Sequence, residues 1–374
     1  MAVNTIQFNS RRKFCKNMLA IGAVASATVL MSGCALSQTS QFASAFTDLS
    51  GKHFVGWFDH NGNMLGRVKI QARAHDLTYC RKHKTLFAFS RRPGNKLYVI
   101  DINAGAIKKQ ILSSAEQHFY GHGVLSEGGD LLYTTENRFD NSYKAYEGVV
   151  VVRNTTNYAI EAEFLSGGVG PHQLALMNQG KIIVVANGGI HTHPASPRTK
   201  LNIESMKPNI SYLEATSGKL IGSFSPPNNQ LSTRHLCVSN DNKVYVGCQY
   251  QGEKHHTQPL IFSHTLHDDP ELEAFKTELN IWRMFNQYTA SLAIDPVNNR
   301  LAVTSPRGGV ITYWDTQTDS LLEVTKQRDC AGIASSNGLF VGSTGRGELV
   351  RQGQRKVSLQ KHRLKWDNHM INIV

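Results

Sequence analysis

The feature that most constrains this chain is a short unit that returns seven times between residues 74 and 371. Six copies read Ala74-His75-Asp76-Leu77, Gly121-His122-Gly123-Val124, Pro171-His172-Gln173-Leu174, Arg234-His235-Leu236-Cys237, Ala290-Ser291-Leu292-Ala293 and Ala331-Gly332-Ile333-Ala334; the seventh, Asn368-His369-Met370-Ile371, ends the chain. Each copy opens a short apolar strand, followed by a polar turn and a second strand. Neighbouring copies lie 37 to 63 residues apart, and a four-stranded antiparallel sheet with its turns takes roughly 40–50 residues. One sheet per copy predicts an all-β, seven-bladed β-propeller.

Strands are expected at Thr85–Ser90, Lys96–Ile102, Asp130–Thr135, Gly148–Arg153, Lys181–Ala186, Lys243–Gln249, Arg300–Ser305 and Leu339–Ser343, where Val, Ile, Tyr and Phe recur between Gly/Asn/Asp turns. One helical turn is expected within Pro270–Arg283. The last unit has a single strand, and His53–Asp59 and Asn63–Ile70 precede the first complete blade. Joining the two ends into one blade closes the ring and removes free sheet edges. The propeller is therefore placed at 51–374.

Residues 1–33 carry Arg11, Arg12, Lys13 and Lys16 and no acid, ahead of an uncharged apolar run from Met18 to Met31. The run is shorter than the ~20 residues a membrane-spanning helix needs. Paired arginines, Phe14 and Lys16 resemble a twin-arginine export signal. Met31-Ser32-Gly33-Cys34 resembles a lipoprotein box, so Cys34 is the expected lipidation site, with residues 34–50 a tether. This predicts a periplasmic protein that touches the membrane through a lipid anchor. The chain's net charge of +12 is not gathered into any basic block, so nucleic acid is not an expected partner. Twin-arginine export carries folded proteins, often loaded with a cofactor, which directs attention to metal sites.

The inner strand of each propeller blade begins at the face with the longer connections, so its first residues face the axis. Five of the seven units carry His there: His75, His122, His172, His235 and His369. One reading is a repeated structural device, each imidazole capping its strand. The other is a ring of imidazoles able to bind Fe, Cu or Zn. Cys330, just before the unit at Gly332, is a further candidate ligand. Cys80, Cys237, Cys248 and Cys330 permit three pairings. Cys237 and Cys248 fall on neighbouring strands, while buried free thiols remain the alternative.

Connections expected on the same face carry Arg91, Arg92, Glu136, Arg138, Asn187, His191, His193, Arg307 and Arg346. Guanidinium groups around a histidine-lined mouth would hold a carboxylate- or phosphate-bearing small molecule, such as an anionic metal chelate. Glu136 is the candidate acid–base residue. The insertion at 188–209 is the candidate lid.

Longer motifs complete the picture: Phe89-Ser-Arg-Arg-Pro-Gly94, Thr135-Glu-Asn-Arg138, Gly170-Pro-His-Gln173, Ala186-Asn-Gly-Gly-Ile-His-Thr-His-Pro194, Thr304-Ser-Pro-Arg-Gly308 and Trp366-Asp-Asn-His369. Together they resemble an uncharacterised family of twin-arginine-exported bacterial propellers, formally a domain of unknown function, over nearly all of 50–374. The resemblance implies a propeller like the quinoprotein amine dehydrogenase β-chain, encoded beside imelysin-type proteins in an iron-uptake setting; it supplies no catalytic residues. The expected function is metal or metal-chelate binding in iron or copper acquisition. A metal- or His-dependent enzyme (oxidoreductase or lactonase-like) and a docking scaffold for an exported imelysin-like partner are the competing readings.

Overall fold

Small and β-branched residues fill the inner and middle strands because both faces of each sheet are covered by neighbouring sheets. Thr85–Ser90 is buried at every position, and Val149, Val150 and Val151 are fully shielded. The outermost strand Ala106–Leu112, by contrast, is almost wholly exposed. Such uninterrupted apolar runs mark strands buried on both sides. The computed structural model describes residues 40–140, 146–196, 199–352 and 357–373. Among them seven four-stranded antiparallel sheets are found. Residues 1–33, expected to be an export signal, and Cys34 lie outside the described residues.

Blade 1 joins the C-terminal Leu364–Asn372 to Gln41–Asp48, His53–Asp59 and Met64–Ile70. Blades 2 to 7 follow in chain order, with inner strands Ala74–Cys80, Gln117–Leu125, Pro171–Met177, Leu231–Val238, Leu292–Asp295 and Cys330–Ser336. The seven inner strands coincide with the seven sequence units. Ring closure by strands from both chain ends agrees with the sequence, but the partner differs. The C-terminal strand pairs with Gln41–Asp48, a segment whose Ser, Ala and Thr content reads as tether. Its small residues suit a crowded inner position: Ala43, Ser44 and Ala45 are buried between Phe42 and Phe46. Closure is sealed by aromatic packing of Phe46 and Phe58 on Trp366, with ring centroids 5.4 and 5.3 Å apart.

The expected helical turn is Leu279–Met284, between blades 5 and 6; its Trp282 stacks on Trp314 of blade 6 at 5.5 Å. No helix among the described residues is long and apolar enough to cross a membrane.

One irregularity repeats. The pairing of inner with second strand slips at Ala74/Asp76, Phe119/Gly123, Pro171/Gln173, Thr233/His235 and Cys330/Ile333, and the blade 1 closure slips opposite Ser44/Phe46. A bulge leaves its extra residue unpaired and re-aims the side chain. His75 and His172 are themselves such residues, and in blade 5 the extra residue is Arg234. Hydroxyls of second strands grip neighbouring inner strands there: Thr135 Oγ1 donates to the His172 carbonyl at 3.1 Å, and Ser44 Oγ to the His369 carbonyl at 2.6 Å.

Candidate metal centre and its arginine-lined mouth

The bulges turn five imidazoles toward one another. His75 lies 4.9 Å from His122 and 4.6 Å from His369 between ring centroids; His172 lies 4.8 Å from His122 and 4.6 Å from His235. All five are buried. Two triads share His122: His75–His122–His369 and His122–His172–His235, with the donor atoms of each triad within 4.8 Å of one another. Gly121 makes this approach possible, since a Cβ there would fall 2.7 Å from His75 Cδ2. Its φ of +105° also suits glycine. In the two units without His, Ser291 Oγ sits 3.4 Å from His369 Nδ1, and at Gly332 a Cβ would fall 3.0 Å from the His369 carbonyl carbon.

Outer partners orient the rings. His122 Nδ1 donates to Asp76 Oδ2 at 2.7 Å, and His235 Nδ1 donates to Gln173 Oε1 at 3.2 Å. In a neutral ring that donates through Nδ1, Nε2 carries the lone pair. Nε2 of His75, His122 and His369 and Nδ1 of His75 and His172 are buried without a hydrogen-bond partner; the nearest acid to His75 Nδ1 is Asp367 Oδ1 at 3.6 Å. Burial, and then the neighbouring imidazoles, push His75, His172 and His235 well below the usual histidine range. Burial likewise brings His369 to about 4. For Asp76, burial acts upward, but the His122 charge and hydrogen bond outweigh it and hold the carboxyl below its usual value. Four of the five imidazoles are thus held uncharged beside the Asp76 carboxylate, a donor set suited to a divalent transition metal.

Above the hub, His75, His172 and His235 share a cavity of about 70 Å³ with Arg91, Arg92, Tyr120, Arg234 and Tyr288. It continues into a wider mouth of about 340 Å³ that adds Lys200, Gln251 and Arg307. Arg91 faces Asp367 Oδ1 at 3.4 Å, and Arg73 also pairs with Asp367. Arg92 donates to Tyr120 Oη and Thr192 Oγ1, each at 3.3 Å. Arg307 lies over the Tyr288 ring at 4.4 Å.

Of the residues singled out in the sequence, Arg91, Arg92 and Arg307 reach the mouth. The others do not line it. Arg138 pairs with Glu147 and Glu163 of its own blade. Arg346 lies near Asp329, whose carboxyl burial pushes up, with Arg346 only partly offsetting it. Asn187 is a buried strand end bonded to Ser166, Asn209 and Ser211. His191 stacks on Tyr146 at 4.4 Å, and His193 accepts from the Ala195 amide at 3.1 Å. Glu136 is buried against Arg153 at 2.6 Å and also accepts from Thr134, so it serves as half of an interior ion pair. Cys330 is buried with Sγ 3.0 Å from the Val310 carbonyl and belongs to neither triad. Cys80, Cys237, Cys248 and Cys330 are free thiols.

Sequence reasoning missed Arg234 and Lys200 as site residues. Arg234 stands inside a quoted motif, yet strand alternation turns it away from the axis side that His235 takes. Only the bulge brings both to the hub.

Among solved structures the chain is similar to the β-propeller domain of Cps50 (Swd1) from Myceliophteria thermophila, at 10% identity and a TM-score of 0.55, covering 82% of this chain and 95% of that one. It is also similar to a chain of the mitotic checkpoint complex, at 10% identity and a TM-score of 0.56, covering 76% of each. At that identity the likeness speaks for the fold. No curated protein matches the sequence. A family model described as protein of unknown function (DUF1513) matches residues 68–373, and the chain belongs to that family.

Proposed function

We propose that this chain is an exported, lipid-anchored periplasmic propeller whose histidine hub holds a transition metal, serving iron or copper acquisition. One observation carries the reading: five buried imidazoles from five blades converge, with unpartnered ring nitrogens, on two triads that share His122. Nitrogen ligands of one tetrahedral ion, at 2.0–2.1 Å from it, stand about 3.3 Å apart. Donors within 4.8 Å therefore need only modest contraction to close on a metal. Imidazole suits Zn, Cu and Fe alike. Export fits a protein that acquires its metal while folding in the cytoplasm. The resemblance to propellers encoded beside imelysin-type genes supports an acquisition role, with an imelysin-like protein as the docking partner. The test is elemental analysis of protein matured through its own export route: one equivalent of Fe, Cu or Zn supports the reading, and metal-free protein that takes up none of the three removes it.

The second reading is a metal-dependent enzyme acting on an anion. It is favoured by the lining that His75, His172 and His235 share with Arg91, Arg92 and Arg234. At such a site the metal would supply Lewis acidity or redox capacity, and the arginines would orient the anion.

A further inference from the structure

Arg234 is 4% exposed, yet its Nε has no hydrogen-bond partner, and it forms no ion pair among the described residues. A buried, unpaired guanidinium is costly unless an anion offsets its charge. It lines both the hub cavity and the wider mouth. Arg92, Lys200 and Arg307, likewise without an acidic partner among the described residues, line that mouth beside Arg91, which pairs with Asp367, and no Asp or Glu lines it. Burial lowers the Lys200 ammonium's proton affinity, and the charges of Arg234, Arg307 and Arg92 lower it further. Positive charge is thus concentrated and uncompensated.

Geometry narrows the ligand. The cations come from different parts of the ring: Arg92 follows the second strand of blade 2, Lys200 lies in the 188–209 insertion, Arg234 is the blade 5 bulge, and Arg307 follows the second strand of blade 6. Tyr120 and Tyr288 lie against two of the guanidinium groups and hold them in place. Charges spread around a mouth of about 340 Å³ match several separated carboxylates better than one compact tetrahedral anion.

We propose that the mouth is a binding site for a small polycarboxylate, anchored by Arg234 in the depth and clasped by Arg92, Lys200 and Arg307 above it. The inference deepens the metal reading and rests on it for the anion's partnership with a hub metal; the anion site itself stands on the cations.

The test is isothermal titration of metal-stripped mature protein with citrate, inorganic phosphate and acetate at fixed ionic strength. Citrate is expected to bind one per chain, at least tenfold tighter than phosphate, with acetate weaker still. R234M should weaken citrate at least thirtyfold. R307Q alters an exposed side chain that leaves the fold intact, so it keeps the test open should R234M fail to fold; it should weaken citrate about five- to tenfold. No citrate binding, phosphate binding as tightly as citrate, or unchanged affinity in R307Q would overturn the proposal. Titration of the H122A protein separates the two readings, because citrate binding that persists while metal uptake is lost locates the anion site independently of the hub.

Discussion

Nδ1 of His122 donates to Oδ2 of Asp76 at 2.7 Å, across the boundary between blades 2 and 3, while Nε2 of the same ring is buried without a partner. This pairing fixes which nitrogen of the shared triad member is free to bind a metal. A carboxylate behind a histidine ligand sets its tautomer and raises its basicity, and removing such a partner typically costs 10–100-fold in metal affinity. D76N should therefore weaken Zn²⁺ binding by about that factor while leaving the far-ultraviolet spectrum unchanged. Competition with a chromophoric chelator reads the effect. Equal affinity in D76N and wild type would show that His122 is not a ligand.

The metal-free protein should lose stability in mild acid. His118 and His369 are both held at about 4, chiefly by burial, whereas in an unfolded chain each takes its proton near pH 6.5. Because the folded pKa values are depressed, these groups leave stability unaffected above pH 6.5, and stability falls as pH drops from there toward 4. The slope is about 1.4 kcal/mol per pH unit for each group in that window. Urea midpoints at pH 7.5, 6 and 5 measure it. H118F should flatten the dependence by one group's share, and a flat profile in wild type contradicts the burial of neutral imidazoles.

Glu136 tests the separation of interior structure from site chemistry. Burial raises its carboxyl's proton affinity, and Arg153 only partly offsets this. E136Q leaves Arg153 buried without its counter-charge, and breaking such a pair costs about 3–5 kcal/mol. The urea midpoint should fall accordingly, while metal stoichiometry stays at the wild-type value at a temperature where the variant is folded. Lost metal binding in a folded E136Q protein would return Glu136 to the site.

Ring closure depends on aromatic packing against the C-terminal strand. Trp366 is buried between Phe46 and Phe58, and truncating a buried Trp to Ala costs about 3–5 kcal/mol. W366A should lower the denaturation midpoint by that amount in free energy. A stability within 1 kcal/mol or so of wild type would mean that closure does not need this contact.

How far the sequence could be read follows from what repeats. The inner-strand units are legible because His, Gly and small residues recur where strands crowd an axis, and the seven units fall on inner strands, the blade 6 unit starting just ahead of Leu292–Asp295. Gln41–Asp48 is not legible, because Ala and Ser suit both a tether and a second strand buried between neighbouring sheets. Arg91, Arg92 and Arg307 follow second strands directly and reach the mouth as expected. Arg138 lies within its second strand, and Glu147 on the adjacent strand and Glu163 on the outermost strand of the same blade capture it. Cross-strand neighbours of this kind depend on register, and register is hidden from a motif. Arg234 is the plainest case: its role depends on one unpaired residue in a strand, which no alternation pattern discloses.

The most direct measurement is metal-edge X-ray absorption, with elemental analysis, on protein purified from its native host and on H122A. His122 belongs to both triads, so its loss strikes either site. The account predicts one metal per chain in the wild type, with a nitrogen-dominated shell near 2.0–2.1 Å for a zinc-like ion, and less than a tenth of that content in folded H122A. Undiminished metal in H122A, or a sulfur-dominated shell, would contradict it.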